Sequence, residues 1–335
     1  MIVYLDNSAT TRQYDEVTDL MAEVAKNCYG NPSSLHGLGL EAEKLMKEGR
    51  RKIALGFNAS PEEVYITSCG TEADNTVLMG LARVPRPRAK KIITTAVEHP
   101  AVLEPAQELE RRGFEVVRLG VDRHCRIDLD ELKAALTEDT LLISVMAVNN
   151  EAGTIMPLKE IGEIKRAFNK AHGTKVLFHT DSVQAAAHLP IDVQAMNIDM
   201  LSMSGHKFHG PKGVGILYAR NGIRLVNVIE GGAQERGKRA GTVNVPGIAA
   251  MAVALKEGCD NMEENMSKVR ALRDRLINGL KDIPYSQLNG DPVNRLPGNV
   301  NWSFEGVEGE SLLLHLDAYG IECSSGSACT SESLD

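Results

Sequence analysis

Short apolar runs alternate with amphipathic segments along the first two thirds of the chain. The apolar runs are typical of buried strands, and the segments between them, such as 101–112 and 129–136, repeat apolar residues with helical spacing. This alternation predicts an α/β fold, with a mainly parallel sheet flanked by helices on both faces. The predicted strands are 64–67, 91–95, 115–119, 140–146, 176–179 and 214–218, and the first of them precedes a predicted helix at 72–82.

The pattern changes near Pro246. Long helical segments follow, including 265–280, and short strands are predicted around 300–304. This change predicts a second, smaller α+β domain that begins near residue 250.

Composition narrows the classes of function. A chain of 335 residues with 43% hydrophobic content can bury a large core. The net charge of -8 and the absence of a basic tract argue against nucleic acid as a partner. The first residues do not resemble a signal peptide, and no apolar run reaches membrane-spanning length, so we expect a cytoplasmic protein without a membrane partner.

Six cysteines are spread along the chain without a CxxC pair, which fits neither a disulfide scaffold nor a zinc ribbon. We therefore expect reduced thiols. His206 and His209 are close in sequence, but no cysteine or carboxylate cluster accompanies them, and we predict no metal site.

Lys207 is the first candidate for covalent chemistry. The segment 199–215 leads from an apolar run into a turn rich in glycine, and Lys207 lies at the transition between Met203 and Phe208. Partial desolvation there favours the uncharged amine, which can form a Schiff base with a carbonyl. The alternative is an ordinary solvated lysine on a loop.

Asp181 is the second candidate. The segment 175–181 is predicted to be a buried strand that ends on this acid, at the edge where open α/β sheets bind ligands. A carboxylate there could keep a pyridinium nitrogen protonated. A lysine and such an acid are the two protein groups that pyridoxal phosphate needs to act as an electron sink. Alternatively, Asp181 could be the N-cap of a helix over the following residues.

Two further segments add weaker signals. The small-residue turn 68–71 precedes a predicted helix, whose free N–H groups and dipole could bind a phosphate. Cys329 lies among small, polar residues in 322–332, which predict an exposed, mobile loop. A thiol on such a loop could reach a cofactor and move away again, although an incidental surface cysteine is the alternative.

Several motifs resemble those of one enzyme family in order along nearly the whole chain. The chain resembles cysteine desulfurases of the NifS/IscS kind, which are class V members of the fold-type I pyridoxal phosphate-dependent transferases. The matching segments are 4–11, 30–36, 67–75, 98–99, 148–151, 179–184, 204–207, 239–242 and 324–331.

This resemblance implies a role for each matching residue. Lys207 would carry the cofactor and transfer a proton, and Asp181 would pair with the pyridine nitrogen. His99, which could otherwise be an ordinary helix-start histidine before Pro100, would stack on the ring and act as an acid or base. The remaining implied contacts are Gln184 with the ring hydroxyl, Gly70, Thr71, Ser204, Gly205 and His206 with the phosphate, Asn150 beside the cofactor, and Thr242 reaching the phosphate of the other subunit.

The implied reaction converts L-cysteine to L-alanine and leaves the sulfur on Cys329 as a persulfide. The implied partners are a second copy of the chain, in a homodimer, and an iron-sulfur scaffold or other sulfur-acceptor protein. The implied domains are an N-terminal segment, 1–15, that packs on the small domain, a large cofactor-binding domain, 16–250, and a small C-terminal domain, 251–335.

The chain departs from the family pattern in one respect, and two alternatives to a cysteine desulfurase stay open. Relatives of this kind continue beyond the position of Asp335, with an arginine expected to bind the substrate carboxylate, so the small domain is predicted to be truncated. A selenocysteine lyase or another class V aminotransferase-like enzyme would share Lys207 and Asp181 but would not need Cys329 for transamination. A truncated, inactive binding subunit is the second alternative.

Overall fold

The computed structural model describes residues 1–85, 89–232 and 234–326. Its centre is a seven-stranded sheet in the order β2-β8-β7-β6-β5-β3-β4. Only β8 runs antiparallel to its neighbours, so the prediction of a mainly parallel sheet is confirmed. The strands of this sheet are β2 (Val64–Thr67), β3 (Lys91–Thr95), β4 (Glu115–Leu119), β5 (Thr140–Ser144), β6 (Leu177–Asp181), β7 (Met200–Ser204) and β8 (Gly215–Ala219).

Helices cover both faces of this sheet, and further helices follow in the C-terminal part of the chain. The described helices are α1 (Asp15–Asn27), α2 (Gly37–Leu55), α3 (Gly70–Ala82), α4 (Pro100–Arg111), α5 (Leu129–Ala135), α6 (Leu158–His172), α7 (Gln234–Gly237), α8 (Val245–Asp260), α9 (Met262–Leu280) and α10 (Gly309–Ala318).

Side chains alternate between the two faces of the sheet, as the period of a strand requires. Ile93 and Ile143 belong to an apolar cluster that also contains buried residues of α1, α2 and α8. Their neighbours Ile92 and Leu142 belong to a second cluster, formed with α3 and α4. Both faces are therefore covered, which explains why consecutive apolar residues occur at the centres of these strands.

Two small sheets accompany the large one. β1 (Val3–Tyr4) pairs in parallel with β11 (Ile321–Glu322), so the first residues contact the last described ones. β9 (Ser286–Leu288) pairs antiparallel with β10 (Trp302–Phe304). Within the described ranges, no helix combines the length and the apolar character that crossing a bilayer demands.

Candidate active site

The carboxyl ends of the parallel strands meet at one edge of the sheet, and the candidate residues follow them there. Asp181 ends β6, and Ser204 ends β7 immediately before the turn that contains Lys207. His99 follows β3, and Gly70 follows β2. The topology therefore brings together residues that lie far apart in sequence.

Lys207 is half-buried in a single 3-10 turn, Gly205–Lys207. Its Nζ donates a hydrogen bond to the carbonyl of Ala9 at 2.8 Å and another to the carbonyl of Ser8. Thr11 holds the same N-terminal segment in place, since its Oγ1 donates to the carbonyl of His206 at 2.8 Å. The amine is therefore oriented by backbone oxygens rather than extended into water.

Asp181 is buried at the end of β6, and its Oδ1 accepts a hydrogen bond from the N–H of Val183 at 2.9 Å. Burial raises the pKa of this carboxyl to about 7, and the nearby Asp74 adds to the rise. Turns rather than a helix follow it, so the alternative of a helix N-cap is wrong. A buried acid of this kind is suited to a cationic partner, because a positive charge would restore its ionised form.

His99 lies under the electrostatic influence of both groups. Burial lowers the pKa of its imidazole, the Asp181 carboxylate raises it, and the Lys207 ammonium lowers it. These effects require all three side chains to share one region, since charge interactions weaken with distance. His99 is also the N-cap of α4, so the helix-start interpretation describes it as well.

Gln184 contacts the same N-terminal segment as the lysine. Its Nε2 donates to the carbonyl of Ser8 at 3.0 Å, and this oxygen also accepts from Lys207. The Gln184 amide and the Lys207 amine therefore lie close to each other, on either side of the Ser8 carbonyl oxygen.

The helix after β2 begins two residues earlier than predicted. Gly70 and Thr71 form its first turn, and Cys69 is the N-cap, with a sulfur that accepts from the N–H of Glu72 at 3.4 Å. The Glu72 carboxylate in turn accepts from the N–H of Ser68 at 2.8 Å. These reciprocal contacts extend the helix into the predicted turn, in the manner of a capping box.

The start of α3 fits a phosphate. A Cβ on Gly70 would lie only 2.6 Å from the Val183 side chain and 3.7 Å from Ser204 Cβ, so Ser204 is beside the helix terminus. The Ser204 hydroxyl is buried without a hydrogen-bond partner among the described residues. An unsatisfied hydroxyl beside free helix N–H groups is what an anion would complete.

The remaining predicted site residues are Asn150, Thr242 and Cys329. Asn150 is half-buried in the loop after β5, whose turn is held by Asn149 through bonds to the N–H groups of Glu151 and Ala152. Thr242 is exposed on this chain. Cys329 lies outside the described residues.

Sequence reasoning missed a buried polar cluster beneath Asp181. His179 lies two residues earlier on the same face of β6, between the hydroxyls of Ser144 at 2.8 Å and Ser202 at 3.0 Å. Its Nε2 is 3.4 Å from a carboxylate oxygen of Asp74 on α3. The available signals were the helical spacing of Asp74 with Val77, Leu78 and Leu81, which puts this acid on an apolar face, and the two-residue period of the strand.

Burial shifts every titratable group of this cluster toward its neutral form. It raises the pKa of Asp74 to about 7 and lowers that of His179 to about 4. Glu98, immediately before His99, is affected in the same way, and its pKa rises to about 8. Burial therefore raises the pKa of all three carboxyls of this region, Asp74, Glu98 and Asp181.

Known proteins are similar to this chain in sequence and in fold. The family described as "Aminotransferase class-V" matches residues 3–335. A curated relative from Methanosarcina thermophila, "Cysteine desulfurase IscS", is 49% identical over 333 residues, covering 99% of this chain and 81% of the relative. A relative of the same name from Clostridium botulinum strain Hall is 48% identical over 336 residues, covering 99% of this chain and 83% of its own.

Solved structures of similar proteins have the same fold. A NifS-like protein superposes with a TM-score of 0.92 at 40% identity, covering 96% of this chain and 87% of that one. A structure described as "SspA in complex with cysteine" gives a TM-score of 0.84 at 33% identity, covering 98% of this chain and 91% of the other. The chain therefore belongs to the class V aminotransferase family, within its pyridoxal phosphate-dependent cysteine desulfurases of fold-type I.

Proposed function

We propose that this cysteine desulfurase holds pyridoxal 5'-phosphate between Lys207 and Asp181 and transfers the sulfur of L-cysteine to Cys329. The observation that supports this most strongly is the placement of Asp181 at the end of β6 and of Lys207 in the turn after the neighbouring β7, with His99 after β3 at the same edge of the sheet. When bound, the cofactor supplies a carbonyl that links to amines and a cationic ring that accepts electron density.

Each side chain has a defined task in this proposal. Lys207 provides the amine for the covalent link and afterwards moves a proton at its Nζ. Asp181 pairs with the ring nitrogen, which keeps its own carboxyl ionised despite burial. His99 stacks on the ring, and Gln184 bonds to the ring hydroxyl.

The first turn of α3 would hold the phosphate in this proposal. The N–H groups of Gly70 and Thr71 would donate to the anion, and the Ser204 hydroxyl would gain a partner that it lacks among the described residues. Gly205 and His206 complete the site on this subunit. Thr242 contributes from the second copy of a homodimer, and Asn150 helps to place the substrate.

Cys329 receives the sulfur. Its thiolate attacks the sulfur of the bound cysteine, so that an S–S bond forms as the C–S bond breaks. The electron pair of the broken bond stays with the carbon fragment, which gains a proton and leaves as alanine. The resulting persulfide passes to an iron-sulfur scaffold or another sulfur-acceptor protein in the cytoplasm.

Replacing Cys329 by serine tests this transfer, with Lys207→Ala as the matched comparison. We expect Cys329→Ser to keep the visible absorbance of the lysine-linked cofactor but to release no sulfide or alanine from cysteine. Lys207→Ala should lose both the absorbance and the turnover. Sustained alanine production by the serine variant would contradict the role of the thiol, and selenide release by that variant from selenocysteine would favour a lyase.

A further inference from the structure

The hydrogen bond at the start of α4 determines which nitrogen of His99 carries a proton. His99 is the N-cap of this helix, and its Nδ1 accepts from the backbone N–H of Ala101 at 3.1 Å. A backbone N–H can only donate, so Nδ1 must present a lone pair. In a neutral imidazole, the proton is then on Nε2.

The surroundings of the ring favour this neutral form. Burial and the charge of Lys207 both oppose a second proton, and only Asp181 favours one. Protonation at Nδ1 would also place two N–H groups against each other and break the cap of α4. The edge of the ring that does not cap α4 therefore carries Nε2 with its hydrogen.

We propose that His99 presents an N–H to the active site and serves as a hydrogen-bond donor to a lone-pair atom of the bound substrate, not as the base that accepts its proton. This inference rests on the proposed function. The role of proton acceptor then belongs to Lys207, the other nitrogen group of the three. The helix cap makes His99 a fixed donor before any ligand binds.

A second histidine provides an internal reference for this assignment. His36 caps α2 in the same way, since its Nδ1 accepts from the N–H of Gly39 at 3.3 Å, but its side chain is exposed. The same tautomer is expected at both positions.

Nuclear magnetic resonance of the full chain with ¹⁵N-labelled histidine tests the tautomer directly. We expect the His99 ring, assigned from the signal lost in His99→Gln, to show an unprotonated Nδ1 and a protonated Nε2 near neutral pH, like His36. A proton on Nδ1, or on both nitrogens, would overturn the inference. This readout does not depend on turnover, so it stands even if the desulfurase assignment fails.

Kinetics of two variants test the donor role. The amide nitrogen of glutamine can replace Nε2–H as a donor but cannot accept a proton, whereas alanine can do neither. We expect His99→Gln to recover desulfurase turnover to within about tenfold of the unsubstituted enzyme, while His99→Ala loses roughly 10²-fold or more. Equal losses in the two variants would identify His99 as a base and would contradict the proposal.

Discussion

The sequence identifies single residues of this site by their chemistry, but it does not identify the residues that surround them in the fold. The sequence indicated Lys207 and Asp181 because a lysine in an apolar context and an acid at a strand end are unusual. It could not indicate that Asp74 and His179 lie beneath Asp181, because their proximity depends on how α3 packs on the sheet. The roles of the predicted site residues remain predictions.

Asp74 makes the stability of the cofactor-free protein depend on pH. An aspartate in an unfolded chain titrates near pH 4, whereas burial raises the pKa of Asp74 to about 7 in the folded protein. Between these values the folded state holds a proton that the unfolded state has released, so stability falls as pH rises. Asp74→Asn removes this titration. Between pH 5 and 7, the unfolding free energy of the variant should therefore fall less than that of the unsubstituted protein, by on the order of 1–2 kcal/mol.

Urea denaturation at the two pH values measures the difference. Asp130→Asn is the control, because Asp130 is exposed and its pKa is lowered by Lys133. If the unfolding free energies of Asp74→Asn and the unsubstituted protein change in parallel with pH, Asp74 does not carry the buried proton.

At the scale of elements, the sequence predicted most of the sheet. The bounds of β2, β3 and β4 match the predicted strands, because each has an apolar centre and ends near polar turn residues. β6 ends on Asp181, as predicted for the segment 175–181, whereas α3 starts two residues before its predicted start because Cys69 caps it. The antiparallel direction of β8 was likewise not predictable, and the domain boundary near residue 250 stays a prediction.

A buried ion pair anchors the segment that leads toward Thr242. The Glu235 side chain is only 1% exposed; it accepts from Arg50 Nη2 at 2.8 Å and from the N–H of Ile66 at 2.9 Å. Because Glu235 has a positive φ of 47°, these contacts hold a conformation that non-glycine residues rarely adopt. The pair therefore connects α7 to α2 and β2.

Glu235→Gln should lower the unfolding free energy by about 3 kcal/mol, because it leaves the Arg50 guanidinium largely buried without a counter-charge. Glu108→Gln, which alters the exposed pair with Arg112, is the control and should have little effect. Thermal or urea unfolding compares the two variants. Similar small changes in both would mean that the buried pair does not stabilise the segment.

For the whole molecule, the N-terminal segment connects the site to the end of the described chain. Lys207 bonds to the carbonyls of Ser8 and Ala9, and β1 before them pairs with β11. The Ser324 hydroxyl also donates to the Asp6 carboxylate at 2.7 Å. The last described residues before Cys329 are thus held close to the N-terminal segment that contacts the lysine, which agrees with the proposed transfer of sulfur to that cysteine.

The covalent link at Lys207 is the claim on which the account depends. Reduction of the cofactor-loaded protein with borohydride, followed by proteolysis and mass spectrometry of the peptides, measures it most directly. We expect one pyridoxyl phosphate label per chain, on the peptide that contains Lys207. A label on any other lysine, or a loaded protein that acquires no label at all, would contradict it.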